Sequence, residues 1–177
     1  MTGTPELSRM IDIRQITGAP VMVEPDADER RRLAGRFGIS AIDTMRADIR
    51  LSVEGETVLA RGRLTASIIQ PCAISGEDFP VAIDEPILLR FVHPGAEGAS
   101  EDEIEITADD CDEIEYEGMT FDLGEAVAQS LGLAIDPFAE GPEADAARQK
   151  HGLAGEEASG PFAALAALKA GKSDLND

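Results

Sequence analysis

The sequence predicts an α+β fold: an antiparallel β-sheet built on a long central hairpin, one amphipathic helix packed on it, and short flanking helices. Three stretches carry that expectation. In Ala41 to Gln70, Met45, Ala47, Ile49, Leu51 and Val53 alternate with Arg46, Asp48, Arg50, Ser52 and Glu54, the period of a half-buried strand. In Phe121 to Phe138, Leu123, Val127, Leu131 and Ala134 recur at helical spacing, with Ala126 and Ile135 beside them. After Pro25, Asp26 and Glu29 have the spacing of a capping box, and Gly38 stands where a helix from Asp26 to Phe37 would end.

Taken in order, Met10 to Ile16 and Val21 to Glu24 read as short strands. The first helix carries Arg30, Arg31, Arg32 and Arg36 against Leu33 and Phe37. That basic run is either a solvated face balanced by Asp26, Asp28 and Glu29, or a small patch for a phosphate or an acidic partner. In the hairpin, Gly55-Glu56 suits a two-residue type II′ turn, which takes Gly first. Val58, Ala60, Gly62, Leu64, Ala66 and Ile68 make the return strand, where Gly62 marks a bulge or a close backbone approach. Phe79 to Val92 reads as one or two further strands; Pro80 and Pro86 place them at a strand start or an edge. Cys72 falls in the turn Pro71 to Gly76. With no histidine near, it reads as a small buried hydrophobe.

From Gly95 to Glu117 carboxylates accumulate with no Lys or Arg between them. The run lacks the glycine and terminal glutamate of a calcium loop. Its first part reads as a mobile acidic loop, with room for short strands at Ile104 and Ile106 and at Ile114 and Tyr116. In the following helix Asp122 is the N-cap and Glu125 the reciprocal member of a capping box; Pro137 ends it and pushes Asp136 out of the helical region. Residues 1–138 are expected to form a single domain, 139–160 a flexible linker, and 161–177 a short helix (PFAALAALK) and tail.

Charge bears most directly on function. The net charge is −20. Residues 1–70 carry as many arginines as carboxylates, so the whole acid surplus lies from Pro71 onward. A field of that sign disfavours extensive direct RNA binding and favours a basic protein partner. Glu101, Asp102, Glu103, Glu105, Asp109 and Asp110 are the candidate partner-binding residues. No stretch is apolar enough to span a membrane, no signal peptide opens the chain, and the distant Cys72 and Cys111 fit a reduced, cytoplasmic setting.

The catalytic search assigns no residue, cofactor or metal. His93 and His151 have no positioned nucleophile beside them, and there is no Walker loop, GxGxxG or GxSxG. The acid pairs Asp84-Glu85 and Asp109-Asp110 read as solvated surface in so acidic a chain.

QPCAISGEDF, then ILLRFVHP, an acidic loop, FDLGEAVAQSLGLAIDPF and PFAALAALK, with DADERRRLAGRFGI before the hairpin, resemble the YceD family of large ribosomal RNA subunit accumulation proteins, in its alphaproteobacterial branch. The motif positions are Cys72, Glu77 and Phe79 in the cysteine turn, and Asp122, Leu123, Gly124, Glu125, Asp136 and Pro137 in the helix. Many relatives carry a second cysteine where this chain has Ser75, and some a C-terminal cysteine cluster suited to zinc; here that region has none, so no metal carries over. The resemblance implies a non-enzymatic role in synthesis, processing or stability of 23S ribosomal RNA. The partner it implies is a basic large-subunit ribosomal protein or a pre-ribosomal particle. The alternative is a metal-dependent enzyme acting on precursor ribosomal RNA, which would need convergent carboxylates and basic residues to hold phosphate.

Overall fold

A computed structural model describes residues 5–94 and 112–152. It is an α+β fold of seven strands and three helices among those residues, with one short 3-10 turn. β1 (Met10–Asp12) and β7 (Thr120–Asp122) pair antiparallel as a small separate sheet, Met10 opposite Asp122. The remaining strands are β2 (Pro20–Val23), β3 (Ala41–Glu54), β4 (Thr57–Pro71), β5 (Asp78–Val92) and β6 (Asp112–Glu115). They form one five-stranded sheet in the order β2-β3-β4-β5-β6. The expected single strand from Met10 to Ile16 therefore stops at Asp12. Ile13–Gln15 turn as a 3-10 helix, because the Asp12 carboxylate accepts the Arg14 backbone N–H and caps that turn.

The central hairpin follows its alternation. Ala47, Ile49 and Leu51 of β3 and Ala60, Leu64 and Ile68 of β4 are buried, while Arg46, Asp48, Arg50, Arg61 and Arg63 face outward. Glu54 pairs with Thr57, leaving Gly55 and Glu56 as the two loop residues. Gly55 has φ +64° and no non-glycine residue is positive, as a II′ turn requires. Gly62 is a close approach and not a bulge: a Cβ there would lie 2.1 Å from the Asp48 carbonyl oxygen, and the ladder's register shifts only between Ile42 and Thr44.

β5 is one strand of 15 residues, but its outer side is paired by β6 only from Leu89 to Val92 among the described residues. Pro80 and Pro86 sit in the part without that neighbour, where a missing N–H breaks no ladder there. The β5–β6 pair is parallel, a departure from the all-antiparallel expectation. Parallel pairing needs a connection of about a dozen residues or more, and the chain between Val92 and Asp112 is longer than that.

Helix α1 (Ala27–Phe37) forms as its caps dictate. Asp26 accepts the backbone N–H groups of Asp28 and Glu29 at 2.9 and 2.8 Å, Glu29 accepts the Asp26 N–H at 2.9 Å, and left-handed Gly38 ends the helix. Helix α2 (Leu123–Ala134) buries Leu123, Val127 and Leu131 completely, with Gly124, Ala126 and Ala128. These side chains, Leu33 of α1 and the inner sheet face make one apolar cluster. Burying each large aliphatic side chain contributes about 1.5–3 kcal/mol, and the chain compensates in this way for having no Trp and one Tyr. Phe121 stacks on Phe91 at 4.1 Å between ring centres, which ties the small sheet to β5.

The chain divides into two compact units: Met1–Gln70 with Pro80–Asp136, and Pro71–Phe79 with the chain from Pro137 onward. The stretch 139–160, expected as a linker, carries helix α3 (Ala144–Lys150), in which Ala144 is buried. Its composition hid it: one turn and a half of ADAARQK has too few apolar residues for a period to show. The expected helix at 161–169 and the candidate residues Glu101, Asp102, Glu103, Glu105, Asp109 and Asp110 lie outside the described residues.

Candidate functional site

The motif residues fall into two places, one in each unit. The first is the start of α2. Asp122 accepts three donors: Ser8 Oγ at 2.7 Å, the Arg9 backbone N–H at 2.8 Å and the Glu125 N–H at 3.2 Å. Leu123 donates its N–H to the Arg9 carbonyl. Gly124 lies under this N-terminal segment, and a Cβ on it would sit 2.6 Å from Arg9 N. The expected capping box is half formed. Glu125 does not reach back to Asp122; it accepts both Arg36 terminal nitrogens, at 2.8 and 2.9 Å, and Gln129 Nε2. A bidentate guanidinium–carboxylate bond outweighs a neutral N–H donor for the same oxygens. At the other end of the helix, the Asp136 carbonyl accepts Nε2 of Gln70, a fully packed amide with 3% exposure.

Arg9 continues this network. Its guanidinium forks onto Glu29 at 2.7 and 2.8 Å, while Glu29 caps Asp26. Asp122 and Glu125 therefore fasten the N-terminal segment and α1 to α2. None of this was visible in sequence, because Ser8 and Arg9 stand more than a hundred positions from Asp122. The Arg9 hydrogen bonds, then the Asp26 N–H, hold the Glu29 carboxyl at about 2, below its ordinary 4.5. A depressed folded value means stability that is present above 4.5 and lost as pH falls toward 2. Glu29→Gln should flatten the fall of Tm across that window, as followed by circular dichroism; an unchanged acid profile would show that the pair contributes nothing.

The basic run of α1 is largely engaged in the same way. Arg31 meets Asp28, Arg36 meets Glu125 and Glu6, and Arg30 and Arg32 donate to the carbonyls of Pro25 and Glu6. The solvated, balanced face is the reading that fits.

The second place is the cysteine turn. Cys72 donates its N–H to the Glu77 carbonyl, and Gly76 donates to the Cys72 carbonyl, both at 2.9 Å. The loop wraps the thiol, which is 3% exposed. Its Sγ accepts the backbone N–H groups of Ile74 and Ser75 at 3.4 Å. Phe79 packs on Gly141, where a Cβ would lie 2.9 Å from the ring, and Ala73 donates to the Ala139 carbonyl. Cys72, Glu77 and Phe79 are thus one structural motif.

The sequence correctly marks Cys72 as buried but misses its electrostatics. The Ser75 hydroxyl first, then the backbone N–H groups of Ser75, Gly141 and Ile74, stabilise the thiolate and bring the thiol from 9.0 down to about 7. In a Cys111→Ser background, thiolate absorbance should titrate near 7, and Ser75→Ala should move the midpoint up. A midpoint unmoved by Ser75→Ala would remove the hydroxyl from that role. An open groove of about 530 Å³ beside the turn is lined by Ser75, Glu77, Asp78, Glu143, Lys150 and His151. A zinc site of the kind found in some relatives does not fit this donor set. Among the described residues no three His, Cys, Asp or Glu side chains converge, and Ser75 offers a hydroxyl where a second thiolate would be needed.

The other sequence candidates are dispersed. His93 lies against the Tyr116 ring, His151 ends α3, and Asp84 is bound to Arg63 on the exposed sheet face. No helix among the described residues is long and apolar enough to cross a membrane.

Comparison with curated proteins and with solved structures finds no match. A family model described as large ribosomal RNA subunit accumulation protein YceD matches residues 60–169. The match contains the cysteine turn and the α2 motif whole. Since it also covers more than half of the 177 residues, the chain belongs to the YceD family.

Proposed function

We propose that this protein is a non-enzymatic ribosome-biogenesis factor that supports synthesis, processing or stability of 23S ribosomal RNA. It acts by holding a basic large-subunit ribosomal protein or a pre-ribosomal particle. One observation carries the reading: the YceD match over residues 60–169 lies in a chain of net charge −20. The family description supplies the process, and the charge supplies the sign of the partner. The motif residues support a binding role in a negative sense, since their hydrogen bonds are spent on the fold. The setting proposed is the cytoplasm.

Affinity capture of the tagged full chain at native salt, read by mass spectrometry, tests this. A basic large-subunit protein or particle should be enriched, and capture of neither would refute the reading. The docking surface proposed is Glu101, Asp102, Glu103, Glu105, Asp109 and Asp110. Replacing Glu101, Asp102, Glu103 and Glu105 by Gln or Asn should slow association with the captured partner and reduce its salt dependence. The attraction is long-range, with a Debye length of about 10 Å at 0.1 M and about 3 Å at 1 M. Equal affinity and equal salt slope for variant and parent would leave that segment no docking role.

A further inference from the structure

On the outer face of the hairpin, Arg50 of β3 stands directly opposite Arg61 of β4. Both are exposed. Cross-strand partners have Cβ atoms about 4.5–5.5 Å apart, and like charges so placed repel. The surroundings make the pair unusual. Every other described arginine meets a carboxylate or a backbone carbonyl; on this same sheet Arg46 is held by Asp48, Arg63 by Asp84 and Arg90 by Glu113. The two with neither, among the described residues, face each other in a chain with 35 acidic residues.

We propose that the Arg50–Arg61 pair is an anion site that takes a phosphate of an RNA backbone. Two guanidinium forks at that spacing can both reach one phosphate, which offers several acceptor oxygens and replaces their repulsion with attraction. The next residues along the face extend the site. Arg63 lies two positions beyond Arg61, and its pair with Asp84 is open to water, with side chains 62% and 55% exposed. Such a pair contributes little and can yield to a neighbouring phosphate. The net charge of −20 does not forbid this contact. Screening over about 8 Å at physiological ionic strength leaves the nearest charges to decide the local sign, and here those are arginines. A carboxylate also fits a guanidinium fork, but the chain's own carboxylates leave this pair unmet. RNA is favoured because the family is described by ribosomal RNA accumulation. The site goes beyond the reading above, in which charge selects a basic protein.

Fluorescence anisotropy of a labelled single-stranded oligouridylate with the full chain tests it. The parent should bind at about 50 mM salt, and Arg50→Gln/Arg61→Gln should bind at least about tenfold more weakly with the parent's Tm. The slope of log K against log salt should become shallower by about 1.4, at about 0.7 per lost contact. Arg31→Gln, on α1, should bind as the parent does. No binding by the parent, equal binding by the double variant, or displacement of the RNA by polyglutamate at equal charge would overturn the proposal. The assay contains only the chain and RNA, so those outcomes leave the capture of a basic partner untouched.

Discussion

Leu131→Asp should abolish cooperative folding of the unit that contains α2. Leu131 is wholly buried in the cluster that joins α2, α1 and the sheet. Removing a buried leucine costs about 2–5 kcal/mol from lost transfer energy and the space left behind. An aspartate adds an unpaired carboxylate with no donor waiting for it, so the group must either stay charged without a partner or take up a proton. The two effects together reach the whole stability of an ordinary domain, about 5–15 kcal/mol. A thermal melt of the variant should lose its sharp transition and show raised dye binding at room temperature. A Tm equal to the parent's would mean that α2 does not pack as described.

The elements that periodicity can encode were legible. Five alternating residues from Met45 to Val53 were enough to set a 14-residue strand, its partner and the inward face. Asp26, Glu29 and Gly38 set both ends of α1, because those signals lie within one turn of what they cap. What the sequence hid depends on distance along the chain. Glu125 has the spacing of a capping box and takes Arg36 instead, a partner 89 positions away that no local rule can weigh. β1 has three residues and becomes a strand only because β7 is there to pair with it. The parallel β6 follows from a connection whose course alternation cannot foretell. At the site, Cys72 was legible as buried, but its lowered proton affinity depends on where the N–H groups of Ile74, Ser75 and Gly141 point. That orientation is a property of the folded loop. Likewise, the Arg50–Arg61 opposition requires the register, although both residues stood on outward positions from the start.

Glycine substitutions should separate the fastened helix from the free one, with opposite signs. In a helix Gly→Ala ordinarily stabilises by about 0.5–1 kcal/mol, by removing freedom from the unfolded chain. Gly35 of α1 is exposed and has nothing within 4 Å of an added Cβ, so Gly35→Ala should give about that gain. Gly124→Ala should reverse it. The new Cβ would lie 2.6 Å from Arg9 N, 2.8 Å from Ser8 C and 2.9 Å from Ser8 Cα, all backbone atoms that no side-chain rotation can relieve. Moving the N-terminal segment away would strain or break the bonds it makes there, from Arg9 N and Ser8 Oγ to Asp122 and from Leu123 N to the Arg9 carbonyl. Overpacking costs about 1–3 kcal/mol and each lost bond about 1 kcal/mol more, so a net loss of about 2–4 kcal/mol is expected despite the helical gain. Gly132→Ala tests the cause, since its Cβ would meet the Phe37 ring at 2.8 Å, a side chain able to turn aside. It should fall between the other two. Denaturant midpoints at constant m-value read the series. A midpoint for Gly124→Ala at or above the parent's would show that the N-terminal segment is not clamped over the start of α2.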